Sequence, residues 1–281
     1  MRIIRGLKTM RRVSQFLAAK GKCVGFVPTM GALHEGHLSL IRKARQENDA
    51  VIVSVFVNPA QFSMGEDYDK YPRAIKNDAV LAEDAGCDIL FHPSPEALYP
   101  DGFSCFVHTG RVSEVLCGIS RPGHFTGVAT ICLKLFNIVM PHRVYMGRKD
   151  YQQAVIIKRM VRDLNINTDI KVLPTVRESS GLAMSSRNDY LSPRQRSFAA
   201  TIYKSLKKAA MLIEEGEQNP DRIKAIIRGM LFGRSVAVEY IVIVRPDTLE
   251  EIKCIAGSVL IALAVRLGQT RLIDNILVNK R

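Results

Sequence analysis

Hydrophobic positions along the chain follow two periods: short continuous apolar runs, and apolar residues recurring every three or four positions. Val24-Gly25-Phe26-Val27-Pro28 is the first continuous run. It predicts a buried strand at 24–28 with a tight turn at 29–32. From Leu38 the period lengthens, so that Leu38, Ile41 and Ala44 share one helical face while Arg42, Lys43 and Arg45 point away from it. Upstream, Leu7, Met10, Val13 and Leu17 predict an amphipathic helix leading directly into the first strand. A β-branched run predicts a second buried strand at 50–57. A helix is expected at 72–85, a short strand at 88–91, a proline-rich loop at 93–100 and a further strand at 105–108. The most regular helix is expected at 125–140, where Val128, Ile131, Cys132, Leu135, Phe136 and Val139 recur at helical spacing and Pro141 ends the pattern. A strand at 143–146, a helix at 151–163 and a strand at 168–173 continue the alternation. Such alternation indicates parallel βαβ units with ligands at the C-terminal strand ends.

The pattern changes at 179–192, which is polar and contains glycine. Helices at 193–215 and 220–232 are followed by strands at 236–244, 259–265 and 270–277. That order predicts an α/β chain in two parts, a parallel-sheet domain over residues 1–178 and a smaller α+β domain over 179–281. No internal repeat is present.

Composition narrows the class. With 281 residues of which 47% are hydrophobic, the chain can bury a substantial core. Its longest apolar runs have strand lengths, so no membrane partner is expected. Arg2, Arg5, Lys8, Arg11, Arg12, Lys20 and Lys22 all precede the first acidic residue, Glu35, as in an organellar presequence. The unbroken passage from amphipathic helix to strand favours an integral helix instead. Six cysteines without a Cys-x-x-Cys pair read as reduced core thiols of a cytoplasmic protein. The formal charge of +13 is scattered from end to end without interleaved aromatics. It points to a pocket for a polyanionic small molecule in preference to a nucleic acid.

Several segments carry chemistry that a core would not select. His34-Glu35-Gly36-His37 opens the helix after the first strand. Free N–H groups and partial positive charge make a helix opening a phosphate site, histidines three apart add directed donors, and glycine allows a flat base close to the backbone. A pair of surface histidines at a helix start has the same pattern. Asn58-Pro59-Ala60-Gln61-Phe62 follows the second strand, where amides that donate and accept suit a hydroxy-acid. Gly147-Arg148-Lys149-Asp150 repeats the strand-to-helix geometry with a lysine able to reach phosphates, and a plain strand-to-helix turn with surface charges has the same pattern. Gln152 and Gln153 follow on that helix's first turn. Met184-Ser185-Ser186-Arg187 lies in the polar junction, where two hydroxyls and a guanidinium can close over a triphosphate, and where a plain hydrophilic linker would look alike. Arg121-Pro122-Gly123-His124-Phe125 has no assigned role at this level.

The paired His-x-Gly-His and downstream Met-Ser-Ser-Arg resemble the HIGH and KMSKS signatures of class I adenylate-forming enzymes. The ordered runs VPTMGALHEGHLSLIR, VNPAQF, YPRAIKND, SRPGHFTGVAT, KLFNIV, GRKDYQQ, GLAMSSRN and TRLIDN resemble the pantothenate synthetase family, the pantoate–β-alanine ligases, over nearly the whole chain. The resemblance implies a Rossmann-like first domain, a smaller second domain acting as a lid, and usually a homodimer, and the polar junction at 179–190 is the candidate hinge. It implies that ATP, with Mg2+, activates the carboxylate of (R)-pantoate as pantoyl adenylate with loss of pyrophosphate, and that β-alanine displaces AMP. It places ATP on Met30, Gly31, Ala32, Leu33, His34, Glu35, Gly36 and His37, with His37 as catalytic acid and His34 and Lys149 assisting. Gly147, Arg148, Lys149 and Asp150 also face ATP, Val176 touches adenine, and Met184, Ser185, Ser186 and Arg187 bind phosphates. Gln61 and Gln153 contact pantoate, Gln61 also borders β-alanine, and Asp78 is a weaker candidate for organising magnesium. This chain departs from the family pattern at Arg148, where glutamine or glutamate is commoner, at Met146 and at Ala97-Leu98. Arg148 alters the charge beside ATP. Two other readings share these features: a nucleotidyltransferase acting on a phosphorylated small molecule, and a transfer-RNA-binding protein on a synthetase-like core.

Overall fold

The computed structural model describes residues 1–63, 65–233 and 236–279. These form two compact units: Met1–Glu114, Gly118–Arg148 and Gln153–Pro174, and Val115–Cys117, Lys149–Gln152 and Thr175–Arg281.

The first unit is a Rossmann-like domain around a six-stranded sheet. Its strands are β1 (Arg2–Ile4), β2 (Val24–Thr29), β3 (Ala50–Val55), β4 (Ile89–Phe91), β5 (Arg143–Gly147) and β6 (Asp169–Leu173), in the order β1-β4-β3-β2-β5-β6. Every pairing is parallel. Parallel strands must be covered on both faces, and the alternation of side chains along them divides the core in two. Phe26, Ile52, Phe91 and Val144 pack with Met10 of α1 (Leu7–Ala19), with α6 (His124–Val139) and with Ile157 and Met160 of α7 (Tyr151–Asp163). Val27, Val51, Val53 and Tyr145 pack on the other face with Leu40, Ile41 and Ala44 of α2 (Glu35–Glu47) and Ala82 of α3 (Ile75–Asp84). All six apolar positions that define the 125–140 pattern are buried.

The second unit is a three-stranded antiparallel sheet, β7 (Val236–Val244), β8 (Val259–Leu267) and β9 (Thr270–Val278), with α8 (Pro193–Glu214) and α9 (Pro220–Met230) on one face. Ile202, Leu206, Ile213, Ile223 and Ile227 meet Ile241, Ile243, Ile261 and Leu263 there. A bulge at Val238/Tyr240 lets Glu239 accept from both Arg266 and Arg271, at 2.7 and 2.8 Å.

Four local expectations are corrected. Residues 105–108 are not a strand: the Val107 N–H donates to Thr130 Oγ1 at 2.9 Å, and Phe106 is exposed. The apolar-run argument missed β1, because three residues show no period and only Ile4 is buried. The proline-rich loop contains one helical turn, α4 (Pro95–Leu98), capped by Ser94. A second single turn, α5 (Cys117–Ser120), precedes α6. The cysteines form no disulfide, but Cys105 and Cys254 are exposed and not core residues. Among the described residues, no helix is long and apolar enough to cross a membrane.

Candidate active site

β2 is the strand at which the first sheet reverses its winding. The chain adds β3 and β4 on one side of it, then crosses to place β5 and β6 on the other. Ligands of open parallel sheets bind at such reversals, beyond the C-terminal strand ends. The β2–β5 ladder contains only Gly25 with Arg143 and Phe26 with Val144. Both strands run three residues further, to Thr29 and Gly147, with their outer partners still paired. The sheet therefore divides at the reversal, and the turn after β2 and the Gly147-Arg148 end of β5 border the division.

The turn after β2 is held from beneath by Asp78 on α3. That carboxylate, 1% exposed, accepts from Ala32 N at 3.1 Å and Leu33 N at 2.8 Å. Gly31 and Ala32 take φ values of +86° and +50°. A Cβ on Gly31 would lie 2.8 Å from Asp78 Oδ2, so glycine is required both for its conformation and for the close approach. Thr29 Oγ1 completes the turn, donating to Ser54 O at 2.7 Å and accepting from Gly31 N at 3.2 Å.

The turn delivers His34 as the N-cap of α2. His34 Nδ1 accepts from Gly36 N at 3.1 Å, and His37 Nδ1 accepts from His34 N at 3.4 Å. This is a capping box built from two imidazoles, whose ring centroids lie 4.1 Å apart. A nitrogen that accepts carries no proton, so the neutral tautomers assigned by these bonds hold their protons on Nε2. Each ring thus carries its N–H at Nε2, at a helix N-terminus where anions are favoured.

Gln61 closes the one-turn helix Pro59–Gln61 after β3 and is buried. Its Nε2 lies 3.0 Å from Met30 Sδ, bringing the second candidate segment to the first. The Arg121–Phe125 segment, whose role the sequence left open, holds this turn. His124 Nδ1 donates to Gln61 O at 2.8 Å, and Arg121 forms a two-pronged pair with Glu66 at 2.6 and 2.7 Å. Burial alone would raise the Glu66 carboxyl, but the Arg121 bonds and charge outweigh it and hold it below the usual carboxylate range. α6 packs so closely here that a Cβ on Gly127 would sit 2.1 Å from Ala60 O. Gly127→Ala should therefore displace the 59–61 turn and cost about 3 kcal/mol in a urea titration, the scale of severe overpacking; an unchanged midpoint would contradict this packing.

The remaining candidates fall into both units. Gly147 and Arg148 lie at the end of β5, and half-buried Gln153 lies on α7, all in the first unit. In the second, Asn275 Nδ2 of β9 donates to Lys149 O at 2.8 Å, and Lys149 Nζ is 3.8 Å from Asp150 Oδ1. Gln152 is not directed at a ligand: its side chain holds the 115–117 loop through Val115 O at 2.7 Å and Cys117 N at 3.1 Å. Val176 O accepts from Met184 N at 3.0 Å, and an Arg177–Ala183 bridge makes 176–184 a small hairpin. Ser185 caps the short helix Ser186–Tyr190 through Arg187 N at 3.3 Å. Asn188 Nδ2 ties that helix to Glu178 and Ala183, so the 179–190 segment is bonded within the second unit.

A family model described as pantoate-beta-alanine ligase matches residues 2–277. The pantothenate synthetase of Thermodesulfovibrio yellowstonii is 53% identical over 281 residues, covering 99% of this chain and 100% of the relative. That of Acetivibrio thermocellus is 50% identical over 279 residues, covering 99% of each. The solved pantothenate synthetase of Thermus thermophilus superposes with a TM-score of 0.92 at 42% identity, over 98% of this chain and 99% of that one. The pantoate-beta-alanine ligase of Francisella tularensis, solved with beta-gamma ATP and beta-alanine, superposes with a TM-score of 0.82 at 39% identity, over 99% and 97%.

Proposed function

This chain belongs to the pantoate–β-alanine ligase family and joins (R)-pantoate to β-alanine using ATP, and from that premise we propose how its residues do so. The observation that carries the assignment is the pair of closely spaced imidazoles capping α2 at the divided end of β2, with Gln61 against the same turn.

The pantoate carboxylate oxygen attacks the α-phosphorus of ATP, the bond to the β-phosphate oxygen breaks, and pyrophosphate leaves. Negative charge grows on the transferring phosphoryl oxygens and on the leaving group, so catalysis is mainly positioning and charge stabilisation. His34 and His37 donate through Nε2 to these oxygens, with His37 as the acid. Met30 to Leu33, Glu35 and Gly36 line the nucleotide, with Gly147, Arg148, Lys149 and Asp150 beside it. Val176 borders adenine, and Met184, Ser185, Ser186 and Arg187 bind phosphates. Gln61 and Gln153 hold pantoate. In the second half, β-alanine enters beside Gln61, its amine attacks the acyl carbon, the acyl–phosphate bond breaks, and the amine proton leaves with AMP formation. No protein nucleophile is required, because the substrates supply both. A division of labour at 178/179, with residues 179–281 acting as a lid, would shield the water-sensitive mixed anhydride.

Magnesium is proposed to arrive with ATP and to neutralise part of the triphosphate charge. Among the described residues no cluster of three or more His, Cys, Asp or Glu side chains forms a protein cage for it, and Asp78 already commits one oxygen to each of two backbone N–H groups. Asp78 shapes the nucleotide turn in this reading and stays the weaker candidate for organising magnesium. A cytoplasmic homodimer is the assembly the family resemblance supports, and sedimentation of the purified chain tests it.

The decisive assay is ATP–pyrophosphate exchange with and without pantoate, then AMP release on adding β-alanine. Exchange should require pantoate, and AMP should follow β-alanine; exchange independent of pantoate would overturn the reading.

A further inference from the structure

An amide presents a carbonyl on one side and an NH2 group on the other, so Gln61 could meet a ligand as acceptor or donor. Its neighbours decide which. The Gly127 carbonyl can only accept, and Asn58 Nδ2 lies 3.1 Å from it, which sets the orientation of the Asn58 amide. The second hydrogen on that nitrogen goes to Gln61 Oε1, also at 3.1 Å. Gln61 Nε2 is left facing Met30, and a sulfur is a weak acceptor that leaves the NH2 group with donor capacity. Asn58 Oδ1 then needs a donor, and the Tyr99 hydroxyl supplies it at 2.8 Å. Asn58 is 1% exposed, so solvent does not stand in for the phenol.

The phenol is held where it is needed. Its ring packs edge-on against Phe103 at 5.0 Å and tilted against Phe56 at 6.4 Å, with Lys134 Nζ 5.3 Å from its centroid. Burial pushes the Tyr99 hydroxyl well above its ordinary value, which keeps its proton in place.

We propose that Tyr99 is a positioning residue of the ligase reaction: acting through Asn58, it holds the Gln61 amide with its NH2 group towards the Met30 side, so that Gln61 donates to an oxygen of the hydroxy-acid. This rests on the reading of Gln61 as a pantoate-contacting residue. Without the phenol, Asn58 carries a buried acceptor with no donor, and its grip on Gln61 Oε1 loosens as it seeks another. Gln61 then samples the reversed amide, which turns a carbonyl oxygen towards the oxygens of an anionic substrate.

The test is a double-mutant cycle on the full chain, read by steady-state pantothenate formation. Tyr99→Phe should raise KM for pantoate about tenfold, equivalent to about 1.4 kcal/mol, while leaving KM for ATP unchanged. Gln61→Ala should raise KM for pantoate as well, and adding Tyr99→Phe to it should change nothing further. Asn58→Asp keeps the shape and still accepts from Tyr99, but it sets an oxygen against Gln61 Oε1. It should reproduce the raised KM for pantoate, and it provides the readout if Tyr99→Phe fails to fold. An equal Tyr99→Phe effect in both backgrounds, or a parallel rise in both KM values, would assign Tyr99 to packing and overturn the proposal. A normal KM for pantoate in Gln61→Ala would instead remove the Gln61 assignment on which the proposal stands.

Discussion

Replacing His37 by alanine is expected to lower pantoate-dependent ATP–pyrophosphate exchange by at least about a hundredfold, the usual scale for losing one transition-state donor. The residue occupies the third position of α2 and serves two purposes, which a measurement can separate. Its Nδ1 accepts from His34 N, a capping contact worth about 1 kcal/mol. Its Nε2 is the group assigned to phosphoryl oxygens. Loss of the cap should lower thermal stability only slightly, by about 3 °C, whereas loss of the donor should appear in kcat. Lys149→Ala should produce a comparable fall in exchange, because the positive charge next to Gly147-Arg148 is assigned to the same leaving group. Near-normal exchange in either variant, with the fold intact, would contradict the assignment.

Asp78→Ala carries the largest expected stability effect. The carboxylate is buried and satisfies two N–H groups in a turn that includes two residues of positive φ. A hydrogen bond to a charged acceptor contributes about 1.5–3 kcal/mol, so losing both should cost about 3–5 kcal/mol and lower Tm by about 10 °C. The turn sits directly before His34, so exchange activity should fall even at temperatures where the variant is fully folded. Asp78→Asn, which retains one acceptor oxygen, should lie between wild type and alanine in both measurements. An Asp78→Ala protein with wild-type Tm would show that the turn does not depend on this carboxylate.

The position of Asp78 shows how far sequence could be read. The family resemblance made it a weaker candidate for organising magnesium, whereas its partners in the fold, backbone N–H groups 45 and 46 residues earlier, are ones no local pattern can reveal. The Arg121–Phe125 segment was likewise without a role, since its histidine and arginine act on a carbonyl about 60 residues away. By contrast, α6 was legible almost residue by residue, because a helix buried along a broad stripe repeats its apolar spacing over four turns. The error at 105–108 has the opposite cause: the residues favour a strand, but a strand requires a ladder partner, and here a threonine hydroxyl meets the backbone instead.

Local chemistry, then, was already determined by the order of residues: the alternation of strands and helices, the two histidines at a helix start, and the motif series that places the chain among the pantoate–β-alanine ligases. These depend on continuous apolar runs, on a period of 3.6 residues and on side-chain type, which the chain carries without folding. Tertiary structure alone decided the strand order that divides the sheet beside β2, the carboxylate that shapes the turn before His34, and the Tyr99–Asn58–Gln61 relay that orients one amide. Each of these joins groups tens of residues apart, and their contacts exist only once burial has brought the elements together and removed water as a competing partner.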